Sequence, residues 1–280
     1  MDIFHSALKK ASQEGSLDPR LASWDQPKGA VKKAAPRFKK LQLPQQLLAF
    51  PDAVIHDLQK VIENIRLIAE ARSMQVIGIS SAVPGQGTSS MTAILSLLLA
   101  AREKVAFEQT QAKSGEDKST ANSRLLGALL LDTQFRHPGL YHKLGLKKSE
   151  GLIEILENEL PFNNGVRNIP DSSLKLINTG LDKNFQLTQT HLQKFRAILQ
   201  YLKTRVEFIL LDIPALLPYS EGIALSKLCD GVVLVVRSGE IRWEVLQEAR
   251  KLLDRAAVPV IGGVLNRREF FIPSWAYRSI

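Results

Sequence analysis

Residues 76–91 contain a short apolar run, a glycine-rich turn and the start of a second apolar segment, in the order VIGIS, SAVPGQG and TSSM. This order predicts a buried strand, a loop and a helix. Such a loop binds phosphate, because the first N–H groups of the helix and its dipole both attract an anion. The phosphate-binding pattern G-x-x-x-x-G-K-[ST] is altered here, since Ala82 replaces its first glycine and Thr88 its lysine.

Two aspartates each follow a run of apolar residues directly. Asp132 comes after three leucines, and Asp212 comes after an isoleucine and two leucines. Ligands of parallel α/β sheets bind beyond the carboxyl ends of the strands, so we expect both carboxylates beside the glycine-rich loop. A carboxylate at that place can hold Mg²⁺, directly or through water. One such aspartate could simply cap a loop, but two of them together with the loop indicate a nucleotide site.

The elements that must position these residues follow from the hydrophobic pattern. Short, continuous apolar runs alternate with longer segments, and this alternation predicts a three-layer α/β fold with a mostly parallel sheet and helices on both faces. The expected strands are 74–80, 126–131, 174–178, 206–211, 231–236 and 258–265. The expected helices are 52–72, 89–104, 151–157, 188–203, 220–228 and 241–256. The first helix should begin at a capping Asp52 and bury the stripe Val54, Leu58, Val61, Ile65 and Ile68.

Charge and composition divide the chain of 280 residues. Residues 1–50 carry nine Lys/Arg against four Asp/Glu and show no steady hydrophobic period, so we predict a basic, largely disordered arm. A domain at 51–272 should follow, with a polar, flexible insertion at 108–124 and a tail at 273–280. The basic run within 28–40 could contact anionic lipid or acidic protein, or form a solvated linker. Nucleic acid is not favoured, because no known nucleic-acid motif accompanies these charges.

The expected cellular compartment is inferred from features that the sequence lacks. No uncharged apolar stretch of about 18 residues occurs, so we expect no transmembrane helix. The beginning of the chain shows no signal-peptide pattern. A single cysteine, Cys229, excludes an internal disulfide and fits the cytoplasm.

These motifs, in this order, resemble those of the bacterial tyrosine kinase (BY-kinase) family of capsule and exopolysaccharide export, within the ParA/MinD-like P-loop NTPases. The similarity spans about residues 52–272. The family's Walker A segment resembles 81–90, its D-x-D-x-R-x-P motif resembles 132–138, and its Walker B motif D-[ST]-P-P resembles 212–215. Its next strand resembles 229–237, and its base-contacting segment resembles 263–267.

The resemblance implies ATP or ADP with Mg²⁺ as cofactor. It places Mg²⁺ ligands at Ser89, Asp132 and Asp212, the two aspartates also serving catalysis if the chain is active. The implied nucleotide contacts are Pro84, Gly85, Gln86, Gly87, Thr88, Ser89, Ser90, Arg136, Asn266 and Arg267.

The departures from the family pattern concentrate where phosphate is handled. Thr88 stands at the lysine position and Gln134 at the second aspartate, while Walker B has Ile213 and Ala215. The assembly motif E-x-x-R-x-x-R of the family's first helix is absent, its positions holding His56, Gln59 and Ile62. The C-terminal tyrosine cluster that these kinases phosphorylate is reduced to Tyr277.

The leading hypothesis is therefore a pseudokinase, a degenerate BY-kinase-like protein that regulates or scaffolds a polysaccharide-export complex with weak or no nucleotide turnover. Its implied partner is the cytoplasmic part of a membrane chain-length or export protein, with self-association as a second contact. The implied location is cytoplasmic or peripheral at the inner face of the membrane. The alternative is an active ATPase or tyrosine kinase with a lysine from elsewhere, such as Lys104 or a partner subunit. A partitioning ATPase of the same superfamily is less favoured.

Overall fold

The computed structural model describes residues 50–114, 127–182 and 184–267, with side chains in the helix that ends at Ser114 described only up to Arg102. The predicted arm, the C-terminal tail and residues 115–124 of the predicted insertion lie outside these ranges. The helices are α1 (Asp52–Ala71), α2 (Thr88–Ser114), α3 (Leu140–Lys143), α4 (Leu152–Leu156), α5 (Phe162–Gly165), α6 (Gln189–Lys203), α7 (Ser220–Ser226) and α8 (Trp243–Arg255). The strands are β1 (Val76–Ser80), β2 (Ala128–Asp132), β3 (Val166–Asn168), β4 (Lys175–Ile177), β5 (Phe208–Asp212), β6 (Gly231–Arg237) and β7 (Val260–Asn266).

The seven strands form one sheet in the order β3-β4-β2-β5-β1-β6-β7. All pairings are parallel except that of β3 with β4. One hydrophobic cluster joins the sheet to α1 and α2, and a second joins its other face to α4 and α6. The predicted three-layer α/β fold is therefore confirmed.

The central strands explain why the sequence shows continuous apolar runs. Every residue of β1, β2 and β5 is buried. Because helices cover both faces of a parallel sheet, side chains that point either way must be apolar. The polar residues that end β2 and β5 are consequently exceptions that need a structural or chemical reason.

The stripe predicted for α1 was confirmed at Leu58 and Ile65, but the buried face is turned away from Val54. Its buried residues are Ile55, Leu58, Ile62, Ile65 and Ala69, whereas Val54 is 41 % exposed. Because one residue turns the helix by about 100°, residues of this apolar segment compete for the core-facing side, and packing against α2 decides between them. The predicted cap was also wrong, since Pro51 precedes the first turn and Asp52 lies inside it.

Three further features differ from the prediction. Helix α2 continues through residues 108–114, which we had expected to begin a flexible insertion. The short helices α3 and α5 and the antiparallel strand β3 were not predicted. None of them carries a run long enough to show a period, and the residues of β3 are only partly buried.

Candidate functional site

The two predicted aspartates lie side by side because of strand register. Asp132 of β2 pairs directly with Asp212 of β5. Asp212 also pairs with Ile79 of β1, the strand that leads into the glycine-rich loop. Both aspartates are fully buried. The parallel sheet thus places two carboxylates and the loop at one edge, as the sequence indicated.

The glycine-rich loop needs two glycines with a left-handed backbone. Gly85 and Gly87 have φ values of 85° and 83°. A Cβ on Gly87 would collide with the side-chain amide nitrogen of Asn266, whereas a Cβ on Gly85 would meet no atom within 4 Å. The second glycine therefore permits both the turn and a close approach to the end of β7.

Gln86 anchors the loop to strands β6 and β7. Its side-chain Oε1 accepts a hydrogen bond from the backbone N–H of Arg237 at 2.7 Å. Its backbone carbonyl accepts a hydrogen bond from Nδ2 of Asn266 at 2.9 Å. Two predicted nucleotide contacts, Gln86 and Asn266, are thus joined to each other, and their polar groups hold the loop in place.

The other side of the loop is fixed by the chain that leaves β5. The hydroxyl of Ser80 donates to the carbonyl of Pro214 at 2.8 Å. The backbone N–H of Leu216 donates to the carbonyl of Ser81 at 2.9 Å. Since the loop is held on both sides, its shape does not depend on a bound ligand.

Thr88, at the position of the lysine, is the first residue of α2 and is only 8 % exposed. Its carbonyl accepts a hydrogen bond from the hydroxyl of Thr92 at 2.9 Å. Lys104 of the same chain cannot replace the missing charge. It lies 16 residues further along α2, about 24 Å at the helical rise per residue, far beyond the reach of a lysine side chain.

Only one carboxylate oxygen of Asp212 accepts hydrogen bonds from the described residues. Oδ1 accepts hydrogen bonds from Nε2 of Gln134 at 3.3 Å and from the hydroxyl of Thr92 at 3.4 Å. Among the described residues no hydrogen-bond partner reaches Oδ2, which is buried. Burial raises the pKa of Asp212, and repulsion from Asp132 raises it further, against hydrogen bonds that include one from Ser89. This oxygen therefore needs a proton or a cation.

Asp132 turns both oxygens toward the backbone. Oδ1 accepts from the N–H of Gln134 at 3.0 Å and Oδ2 from the N–H of Leu140 at 3.4 Å. Burial raises its pKa despite these bonds and the nearby hydroxyl of Thr179. Its main role in this conformation is to fix the loop after β2, which leaves it badly placed for direct contact with a metal ion.

Gln134 replaces a carboxylate with a hydrogen-bond donor. Besides Asp212, its Nε2 reaches the carbonyl of Ile213 at 3.1 Å. A carboxylate at this position could not donate to either acceptor, and it would repel Asp212 unless a cation lay between them. The amide therefore stabilises the carboxylate of Asp212 through one of its two oxygens.

The residues fit Mg²⁺ in part. The unpartnered oxygen of Asp212 and the neighbouring hydroxyl of Ser89 are hard oxygen donors of the kind that Mg²⁺ prefers, and this ion commonly uses one or two protein ligands and several waters. Within residues 50–102, 127–182 and 184–267, no cluster of three or more His, Cys, Asp or Glu is arranged to hold a metal. Asp132 fits only as a ligand through water.

Two other predicted nucleotide contacts, Arg136 and Arg267, lie in different surroundings. Arg136 makes its described contacts with Glu221, through Nε at 3.1 Å and Nη2 at 2.5 Å, and with the ring of Tyr219. Partial burial works against the ionised Glu221, but hydrogen bonds from its own N–H and from Arg136 leave its pKa lowered. Arg267 is exposed at the end of the described chain.

The remaining loop residues differ in exposure. Pro84 and Gly85 are exposed, whereas Ser89 and Ser90 are half-buried in the first turn of α2. Sequence reasoning missed Thr92, Thr179 and Glu221. Thr92 carried the one available signal, since it lies one helical turn after Thr88; the other two are brought in from distant segments.

Comparison with known proteins agrees with this geometry. No protein-family model matches the chain. The chain is 21% identical to the tyrosine-protein kinase YwqD of Bacillus subtilis over 206 residues, 74% of this chain and 78% of that protein. It is 21% identical to the tyrosine-protein kinase CpsD of Streptococcus pneumoniae, and the match covers 83% of this chain and 92% of that protein. It is 23% identical to the succinoglycan biosynthesis transport protein ExoP of Rhizobium meliloti over 70% of this chain but only 22% of that protein.

Solved structures show the same fold. The kinase domain of VpsO matches 76% of this chain and 94% of its own, with a TM-score of 0.60 and 23% identity. A second match is the septum site-determining protein MinD of Pyrococcus horikoshii, complexed with Mg-ADP. The match covers 73% of this chain and 76% of MinD, with a TM-score of 0.50 and 19% identity.

The sheet order, the strand-end aspartates and these neighbours define the class as an α/β P-loop NTPase fold of the ParA/MinD type. Within that class the chain resembles bacterial tyrosine kinases, as its motifs indicated.

Proposed function

We propose that this chain is a degenerate BY-kinase-like protein that regulates or scaffolds exopolysaccharide or capsule biosynthesis, with weak or no nucleotide turnover. The observation that carries the proposal is the hydrogen bond from Nε2 of Gln134 to Oδ1 of Asp212. It stabilises the Walker B carboxylate by a neutral amide at the place where the resembled family has a second aspartate.

Thr88 adds an independent reason. Phosphoryl transfer depends on neutralising charge on the phosphates, and lysine does this in the P-loop. Thr88 is neutral, too short to reach a β- or γ-phosphate, and only 8 % exposed. The N–H groups at the start of α2 can still attract a phosphate, which makes the loop a weak nucleotide sensor.

The partner of such a protein would be the cytoplasmic part of a membrane polysaccharide export or chain-length protein. The support is the similarity to ExoP, which is a succinoglycan biosynthesis transport protein, and to the tyrosine-protein kinase CpsD. Self-association and membrane contact through residues 28–40 belong to the same proposal. No helix among the described residues is long and apolar enough to cross a membrane.

An active ATPase or tyrosine kinase is the second candidate. The unpartnered Oδ2 of Asp212 favours it, because a buried carboxylate oxygen next to Ser89 is a place for Mg²⁺. A lysine would then have to come from a partner subunit, since Lys104 of the same chain is too distant.

The two candidates separate in one set of measurements on the full chain. Mg-ATP affinity is measured by calorimetry, hydrolysis by phosphate release, and phosphorylation of Tyr277 by mass spectrometry. We expect weak binding, no turnover above background and no phosphotyrosine. The double variant Thr88→Lys/Gln134→Asp should bind Mg-ATP at least about tenfold more tightly, a difference of about 1.4 kcal/mol.

A control variant and an opposite result complete this test. Arg196→Ala removes an exposed charge on α6 and should change neither binding nor turnover. Robust turnover by the unmodified chain, abolished by Ser89→Ala and by Asp132→Asn, would establish the enzyme instead of the scaffold.

A further inference from the structure

A second polar site lies beside β3, the edge strand that pairs with β4, and is separated from the glycine-rich loop. A cavity of about 260 Å³ opens there, lined by Leu146, Lys147, Lys148, Ser149, Arg167 and Asn168. We call it the β4 cavity. Strands β2 and β5 lie between β4 and β1, from which the glycine-rich loop emerges. The β4 cavity is therefore distinct from the predicted nucleotide site.

The charge of the β4 cavity is uniformly positive. Lys147, Lys148 and Arg167 contribute three cations, and no acidic residue lines the cavity. Within the described part of the chain, none of the three forms a salt bridge with a carboxylate. Like charges held this close repel each other, so an anion that enters the cavity gains from all three.

Two of the cations are oriented by neighbours rather than neutralised. Nζ of Lys148 donates to the carbonyl of Leu181 at 3.3 Å. Nε of Arg167 donates to the hydroxyl of Ser149 at 3.4 Å. These bonds hold the side chains over the cavity, and the terminal amino groups of Arg167 make no bond to any other described residue. A guanidinium held this way can donate two parallel hydrogen bonds to a phosphate.

A buried asparagine, Asn178, contacts one of the residues that line the cavity. Nδ2 of Asn178 donates to the hydroxyl of Ser149 at 2.8 Å. Asn178 is 1 % exposed, and its Oδ1 has no hydrogen-bond partner among the described residues. Asn178 follows Ile177, which pairs with Leu131, the residue before Asp132. A buried polar residue beyond the end of β4 is therefore linked to Ser149, which lines the cavity.

From this geometry we propose that the β4 cavity binds the phosphate group of a small phosphorylated ligand. Its volume exceeds that of a phosphate ion and falls below the usual range for drug-sized ligands, about 300–1,000 Å³. The phosphate would lie between Arg167 and Lys147, and the rest of the ligand would extend toward Asn168. A phosphorylated metabolite and the headgroup of an anionic lipid share this chemistry.

Calorimetric titration of the full chain with inorganic phosphate and with glycerol 3-phosphate, at constant ionic strength, tests the proposal. A parallel arm measures co-sedimentation with vesicles of phosphatidylcholine alone and with added phosphatidic acid. Arg167→Ala and Lys147→Ala should each weaken binding by about tenfold, as loss of one charge-assisted contact does. Arg196→Ala, which removes a cation from α6, is the matched control, and thermal melting verifies that each variant folds.

The possible results distinguish a metabolite site, a lipid-headgroup site and the absence of a phosphate site. Arg167-dependent binding of the soluble phosphates identifies a metabolite site, and Arg167-dependent binding of phosphatidic acid vesicles alone identifies a lipid headgroup. Absence of binding in both arms, or equal losses in Arg167→Ala and Arg196→Ala, would overturn the proposal. Arg167→Ala should leave Mg-ATP affinity unchanged, so that this inference and the proposed function can fail separately.

Discussion

Nε2 of Gln134 donates a hydrogen bond to Oδ1 of Asp212 at 3.3 Å and so links the ends of two neighbouring strands. The same amide reaches the carbonyl of Ile213. A neutral side chain thus supplies a hydrogen-bond donor to one carboxylate oxygen of Asp212. The other oxygen of Asp212 is left buried and unpartnered among the described residues, and the predictions below follow from this asymmetry.

Gln134→Asp should convert a metal-independent site into a metal-dependent one. The variant loses the hydrogen bond to Asp212 and adds a third carboxylate, so in chelator it should be destabilised by about 2 kcal/mol. Added Mg²⁺ should restore more stability to the variant than to the unmodified chain, as measured by denaturant unfolding. Gln134→Met is the matched control, because it loses the bond but gains no charge. Equal responses of both variants to Mg²⁺ would contradict this interpretation.

The raised pKa of Asp212 predicts how stability depends on pH in chelator. The native state keeps a proton on this carboxyl to higher pH than the unfolded state does. Between the two pKa values the native state binds more protons, so stability is greatest below the unfolded pKa and falls as pH rises through the folded one. Asp212→Asn should make this fall smaller when unfolding is compared at about pH 4 and about pH 8, and the part that remains comes from Asp132, whose pKa is also raised by burial. An unchanged slope would refute the assignment, and Glu150→Gln serves as an exposed control.

Thr88→Lys should strengthen nucleotide binding at the loop. The lysine would supply the charge that neutralises the β- and γ-phosphates, which the backbone N–H groups alone cannot do. We expect at least about a tenfold gain in affinity for Mg-ATP. Ser90→Lys adds the same charge to the same helical turn and should give a much smaller gain. Similar gains for the two variants would mean that general electrostatic attraction, and not the lysine position, limits binding.

The two glycines of the loop allow a matched test of its packing. Both have positive φ, so replacement by alanine should cost each about 1–2 kcal/mol in backbone strain. Only Gly87→Ala would also collide with Asn266, and its free energy of unfolding should fall further than that of Gly85→Ala. In a double-mutant cycle, Asn266→Ala should recover part of the loss in Gly87→Ala but none in Gly85→Ala. Additive effects at both glycines would exclude the contact.

Much of the framework was predictable from local sequence. The apolar runs that end at Asp132 and Asp212 identified β2 and β5, because strands covered on both faces must be apolar throughout. The order of strand, glycine-rich turn and helix was enough to identify the loop from the residue pattern alone. The stripe of α1 was predicted only in part, since an apolar segment allows several rotations and only packing against α2 selects one.

The sequence by itself determined the class of fold, the position of the glycine-rich loop, and the presence of Thr88 and Gln134 where the resembled motifs have a lysine and an aspartate. Only the tertiary structure decided which groups these residues contact. The bond from Gln134 to Asp212, the anchoring of Gln86 by Asn266 and the basic β4 cavity all join segments distant in the chain. Local periodicity carries no information about such contacts, because strand order and register, set by packing of the whole sheet, bring these residues together.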